Sequence, residues 1–183
     1  SHASGVGAPM DRTAVRALML LRANALARGH SGCRVVLVER LLALLNAGIH
    51  PRVPEFGSVG ASGDLAPLAH VALALLGEGP AEQGGVESPV GGLMAAAGIE
   101  VLALGSKEGL ALINGTQATT GIGVLSLLAG ERALEAAEAA GIGDLTHLPY
   151  SLKVLLENLL RWEDGRTVTV DHIKAVPKWV DER

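Results

Sequence analysis

Apolar residues recur at helical spacing from early in the chain. Val15, Leu18, Met19, Leu21 and Leu26 follow Asp11, whose side chain can cap a helix start, and the pattern predicts a helix that stops near Arg28-Gly29. A second run, from about Arg34 to Asn46, places Val35, Val38, Leu41, Leu42 and Leu45 at core-facing positions, with Gly48 as the stop. Pro51 and Pro54 then favour an extended approach. Asp64 can cap a third helix that carries Leu68, Val71, Leu73 and Leu75 and tolerates Pro67 in its first turn. Residues 77–92 are glycine-rich and include Pro80 and Pro89, so they read as an exposed loop or short hairpin, and a second surface excursion ends at Gly105. From Lys107 onward the helical pattern returns, interrupted by the polar, glycine-bearing insert of ALINGTQATTG.

The last forty residues have another texture, holding both tryptophans and the single tyrosine, Tyr150. Leu152, Leu155, Leu156, Leu159 and Leu160 form an apolar helical face, and Lys153 and Glu157 are spaced for an exposed pair. Asp164-Gly165 turns the chain, Thr169 can cap a short helix through Val176, and Pro177 is expected to end it. The expected fold class is all-α or predominantly α. Its expected division is 1–143 and 144–183, with Tyr150, Trp162 and the leucine face of the tail covering apolar surface of the first part.

Composition sharpens this picture. Hydrophobic residues make up 49% of the 183 residues but aromatics only 2%, so the core is expected to rest on close helix contacts rather than large rings. A formal charge of -4 without a basic stripe argues against nucleic-acid binding. No apolar run reaches membrane-spanning length, and SHASGVGAPM lacks the basic and apolar regions of a signal peptide, so a cytoplasmic, membrane-free placement is expected. Cys33 stands alone and reads as a buried structural thiol. No zinc motif is present, no metal is expected, and the GxG patterns follow no strand that would make them dinucleotide sites.

The segment with most chemical potential is Ala61-Ser62-Gly63. Alone it is an ordinary small-residue turn. Between a glycine-rich loop and a helix start it can also be held compactly, so that the Gly63 nitrogen approaches the Ala61 carbonyl carbon and Ser62 loses its hydroxyl to leave an exocyclic alkene. GSVGASGDLAPLAH at 57–70, RANALARGHSG at 22–32 and KEGLALINGTQA at 107–118 resemble, in order, the aromatic amino-acid ammonia-lyases, over about residues 1–140. Ser1-His2, followed by GVG and Pro9, is similar to the histidine-specific branch, the histidine ammonia-lyases.

That resemblance implies a methylideneimidazolone built from Ala61, Ser62 and Gly63, with L-histidine converted to trans-urocanate and ammonia. It implies Asn114 beside the imidazolone, donating to its oxygen, and His2 orienting the substrate imidazole. Asn114 also reads as a structural hydrogen bond, Gln117 as a support for Asn114 or a helical hydrogen bond, Glu108 as a near-site carboxylate or helix-start charge, and His70 as a packed histidine. The family's tyrosines, carboxylate-binding arginine and distant glutamate find no matching position. Residues 144–179 resemble an N-terminal segment of aconitase, without its cluster cysteines, so no iron-sulfur cluster is expected. The expectation is an inactive chimeric fragment, its imidazolone immature or absent and its assembly a homo-oligomer. The other readings are a non-enzymatic folding module or assembly scaffold, and a piece of a full-length enzyme.

Overall fold

The computed structural model describes residues 2–139, 141 and 145–181. Ser1 and the expected 143/144 boundary therefore lie outside the described residues. The fold is predominantly helical, with short strands tying down loops. The chain separates into two compact units, residues 1–123 and 124–183.

In the first unit, α1 (Arg12–Ala27) starts as expected: the Asp11 carboxylate accepts the Thr13 N–H at 2.7 Å. The helix packs on α2 (Val35–Asn46). The buried face of α2 is Leu37, Leu41, Leu44 and Leu45, whereas Val35 and Leu42 are exposed. The run VVLVERLLALL offers more than one apolar stripe, and packing on α1 selects among them. α3 (Leu65–Leu75) carries Pro67 in its first turn and is buried on most of its surface. Asp64 stands at its N-cap position but makes no capping hydrogen bond, contrary to expectation, because its carboxylate has partners elsewhere.

Short strands organise the loops. β1 (Val6–Pro9) pairs antiparallel with β3 (Pro54–Phe56), which brings the opening segment beside the loop that precedes Ala61. β2 (His50–Pro51) pairs with β4 (Pro80–Gln83), which forms with β5 (Val86–Pro89) the hairpin expected within 77–92. α4 (Val90–Ala96) follows directly and is an addition to the expected elements; its two glycines disguise a turn that buries Val90 and Met94 completely. α5 (Glu108–Ile113) and α6 (Gln117–Ala139) are separated at 114–116, where the polar insert breaks the helical pattern. Leu18, Met19, Leu37, Leu41, Leu68, Leu75 and Leu112 join one apolar core, consistent with helix contacts made by aliphatic side chains.

In the second unit, α7 (Tyr150–Arg161) and α8 (Val170–Asp181) pack with the later part of α6. Leu156 is fully buried among Ala137, Leu145, Leu148, Ile173 and Val176, flanked by Leu152, Leu159 and Leu160. Leu155, Tyr150 and Trp162 are exposed, so none of the three joins the core of this unit. Lys153 donates to the Thr146 carbonyl at 3.2 Å, while Glu157 pairs with Arg161. An acidic residue four positions before a basic one is the better helical order, which explains why the expected Lys153–Glu157 pair yields. Pro177 does not end α8. Burial of Ile173, Val176 and Pro177 itself carries the helix through the proline.

Candidate active site

Ala61, Ser62 and Gly63 occupy a tight bend just before α3. A cavity of about 290 Å³ opens there, lined by His2, Ser4, Gly57, Val59, Ala61–Gly63, Leu65 and Ala66. His2 thus shares a wall with a serine sixty positions along the chain, brought there by the β1–β3 pairing.

The bend is clamped from the far side by the break between α5 and α6. Gly63 has φ +102°, and a Cβ at this position would stand 2.5 Å from the Gly115 carbonyl oxygen. Only glycine fits. The same oxygen accepts the Asp64 N–H at 2.6 Å. The Asp64 carboxylate, 1% exposed, accepts from Ser58 Oγ at 2.6 Å, Thr119 N at 2.8 Å and Thr119 Oγ1 at 2.7 Å. Burial pushes its pKa up, but the hydrogen bonds from Ser58 and Thr119 outweigh that and hold the carboxyl below its ordinary value. A small-residue tripeptide with no Cβ at its third position, held on both flanks, fits the requirements for an imidazolone formed from Ala61, Ser62 and Gly63.

Asn114 terminates α5 with its backbone N–H on the Leu110 carbonyl at 3.0 Å. It adjoins Gly115 and hence the clamp, but it is exposed and is not among the described residues lining the cavity. Gln117 does not support Asn114; its Oε1 accepts from Arg22 Nη1 at 3.0 Å. Glu108 opens α5, buried and gripped by Arg34 through Nε and Nη2 at 2.8 and 2.7 Å, with the Gly105 N–H at 2.6 Å. The hydrogen bonds from Arg34, joined by that from Gly105, pull its pKa down to about 2. This is an anchoring carboxylate, away from the cavity wall. His70 is half-buried in α3, and burial lowers its pKa. Among the described residues no cluster of metal-ligating side chains occurs. Cys33 is a free, partly buried thiol packed against the core.

Sequence reasoning missed Asp64 as an anchor, together with Ser58, Thr119, Gly115 and Arg22. Arg22 alone left a legible trace: it falls in the buried series 15, 18, 19, 22, 23, 26 of α1, where an apolar residue is the norm.

A small-residue tripeptide held between the start of α3 and the α5–α6 break is the centre of this site. The aromatic amino acid lyase family model matches residues 1–148. The chain belongs to that family. It is similar to the probable histidine ammonia-lyase of Halobacterium salinarum, 47% identical over 176 residues, covering 95% of this chain and 34% of that protein. With the histidine ammonia-lyase of Geobacillus thermodenitrificans it is 59% identical over 132 residues, covering 72% of this chain and 26% of that one. Among solved structures, the Trypanosoma cruzi histidine ammonia-lyase superposes with a TM-score of 0.68 at 37% identity, over 87% of this chain and 29% of its own. The Pantoea agglomerans phenylalanine aminomutase gives 0.70 at 42% identity, over 73% and 26%. The chain therefore spans about a quarter to a third of the length of these relatives.

Proposed function

We propose that residues 1–143 form the prosthetic-group segment of a histidine ammonia-lyase, in which Ala61-Ser62-Gly63 is the precursor of a methylideneimidazolone and the substrate is L-histidine. The observation that carries this reading is the shared cavity of His2 and Ala61–Gly63. Once formed, the group supplies an electrophilic alkene that no ordinary side chain offers. The chain's own contribution is positioning. In this reading His2, on the cavity wall, would hydrogen-bond the substrate imidazole, and Asn114 would donate its amide to the imidazolone oxygen after a side-chain turn toward the neighbouring bend. The Asp64–Thr119–Ser58 network and the Gly115 carbonyl tie down the residue that follows the tripeptide, which restricts the freedom of the bend.

These 183 residues contain one tyrosine, Tyr150, which lies in the second unit and is exposed. We infer that they do not turn over histidine by themselves, because groups that bind the carboxylate and move protons act as a set. A homo-oligomeric assembly is part of the same reading, supported by the exposed Ile122, Val124, Leu127 and Leu128 of α6. The aconitase-like origin of 144–179 is a separate proposal that rests on the resemblance of those residues alone, against a lyase family match that runs on to residue 148 and a lyase relative alignable over 95% of the chain. Sequencing the gene across codons 140–150 tests it: a rearrangement or ligation scar supports a junction, and an undisturbed lyase reading frame overturns it.

The main test is intact mass together with urocanate absorbance after incubation with L-histidine. Loss of two waters, abolished by Ser62→Ala, with no urocanate, is the expected result. Robust turnover would overturn the inactive part of the reading. An unmodified mass with no product would leave a folding module.

A further inference from the structure

We infer that Arg22 is a positioning residue for ring closure at Ala61-Ser62-Gly63, acting through the turn between α5 and α6; this rests on the imidazolone reading above. Arg22 is 3% exposed in the middle of α1. Burial lowers its pKa, and among the described residues no carboxylate pairs with it. A buried guanidinium without an acidic partner is costly, and the same helix face would accept leucine or methionine at no such cost. What the cation holds in return is specific. One terminal nitrogen donates to Gln117 Oε1 at 3.0 Å and the other to the Ala111 carbonyl.

These two acceptors bracket the turn, one in the last part of α5 and one at the first residue of α6. Gly115 lies directly against the guanidinium: a Cβ there would stand 2.5 Å from Arg22 Nη1 and would also collide with Gln117 Oε1. The opposite side of Gly115 presents its carbonyl to Gly63 and Asp64. A continuous line of contacts thus runs from Arg22 through 111–117 to the backbone that must cyclise.

In ring closure the Gly63 nitrogen bonds to the Ala61 carbonyl carbon. The Ala61 oxygen leaves as water with the hydrogens of the Gly63 and Ser62 amides, and the Ser62 hydroxyl leaves with its α-hydrogen as the second water. Every bond made or broken lies in three residues whose far wall is Gly115. Fixing that wall restricts the Gly63 backbone to the attacking geometry without any contact between Arg22 and the reacting atoms.

The test uses the full chain as wild type, Arg22→Met, Arg22→Lys and Gln117→Met. The rate of two-water loss is followed by intact mass, and exchange of the Asp64 amide hydrogen is followed against the amides of the β4–β5 hairpin. Arg22→Met is expected to slow ring formation and to speed Asp64 exchange by about tenfold each, with the hairpin unchanged. Arg22→Lys, which can serve one acceptor, recovers part of both, and Gln117→Met falls between. Ring formation at the wild-type rate with unaltered Asp64 exchange in Arg22→Met overturns the inference. If the wild-type chain loses no water, the imidazolone reading fails and exchange alone decides. Faster Asp64 exchange with a quiet hairpin supports Arg22 as the support of this turn, and unchanged exchange rejects it. If Arg22→Met loses hairpin protection as well, Gln117→Met decides by the same criterion.

Discussion

In residues 1–123 the polar ties reach far along the chain: Arg12 to Glu82, Arg22 to Gln117, Arg34 to Glu108 and Asp64 to Thr119. Those that the described residues show in 124–183 include short-range ties, as in Glu157 with Arg161, Asp164 with the amides of 166–168, and Thr169 with His172. The buried charged side chains among the described residues, Arg22, Asp64, Glu82 and Glu108, all belong to the first unit. The difference follows from what each unit must specify. Apolar burial stabilises without direction, and a leucine face is enough to seat α7 and α8. Holding one carbonyl against one glycine needs directional bonds, and these are made even though Arg22 Nε is left buried without a partner.

The largest expected effect breaks the first side of this comparison. Asp64→Ala removes the acceptor for three hydrogen bonds and leaves the Thr119 N–H without its partner, which should destabilise residues 1–123 on the order of 4 kcal/mol. Two-water loss should cease. Exchange of the α1 and α3 amides checks the first outcome and intact mass the second. On the other side, Leu156→Ala should cost the second unit about 3 kcal/mol through a cavity among Leu145, Leu148 and Ile173. Both tryptophans lie in 124–183, so their fluorescence in a denaturant titration reads that unit alone.

The two kinds of stabilisation are unequally legible in the sequence. Periodicity with the Asp11 cap is enough for α1, the Pro67 position for the first turn of α3, and the glycine and proline spacing for the hairpin, because local patterns determine them. The tripeptide and His2 are singled out through the resemblance of their neighbouring residues, and they line one cavity. Asp64 misleads because an acidic residue before a helix usually caps it, and only the tertiary fold delivers Thr119 as a stronger claimant. Glu108 looks like a helix-start charge for the same reason, since Arg34 is 74 positions away. The path of α8 through Pro177 is hidden because burial on Ile173 and Val176 overrides a local stop signal.

Acid should sharpen the contrast further. The Glu108 carboxyl is lowered in the folded chain from its ordinary 4.5 to about 2, so the stability it contributes is complete above pH 4.5 and is lost as pH falls toward 2. Asp64, also lowered, adds to the loss in the same direction. Protection of α5 amides should therefore fall between pH 4.5 and 2 in the wild type. In Glu108→Gln it should be lower at neutral pH and less dependent on acid, and an unchanged pH profile in that variant would remove Glu108 as the source.

The smallest effect is the most discriminating. Arg161 and Glu157 form an ion pair one helical turn apart with the carboxylate side chain 21% exposed, whereas in the Arg34–Glu108 pair it is 4% exposed; the two arginines are both more than half exposed. An exposed pair at this spacing contributes roughly 0.3–0.5 kcal/mol, diminished by salt, because water already solvates both charges. Arg161→Ala should therefore shift the tryptophan-detected unfolding midpoint only slightly, and added salt should shrink the difference between variant and wild type. Glu157 also borders a cavity with Ala129, Ala133 and Leu160, so Glu157→Gln, which keeps the stem, is the cleaner partner in a double-mutant cycle. A coupling above about 1 kcal/mol that persists in salt would mean that the second unit, like the first, depends on a directional polar tie, and the division between the two units would have to be redrawn.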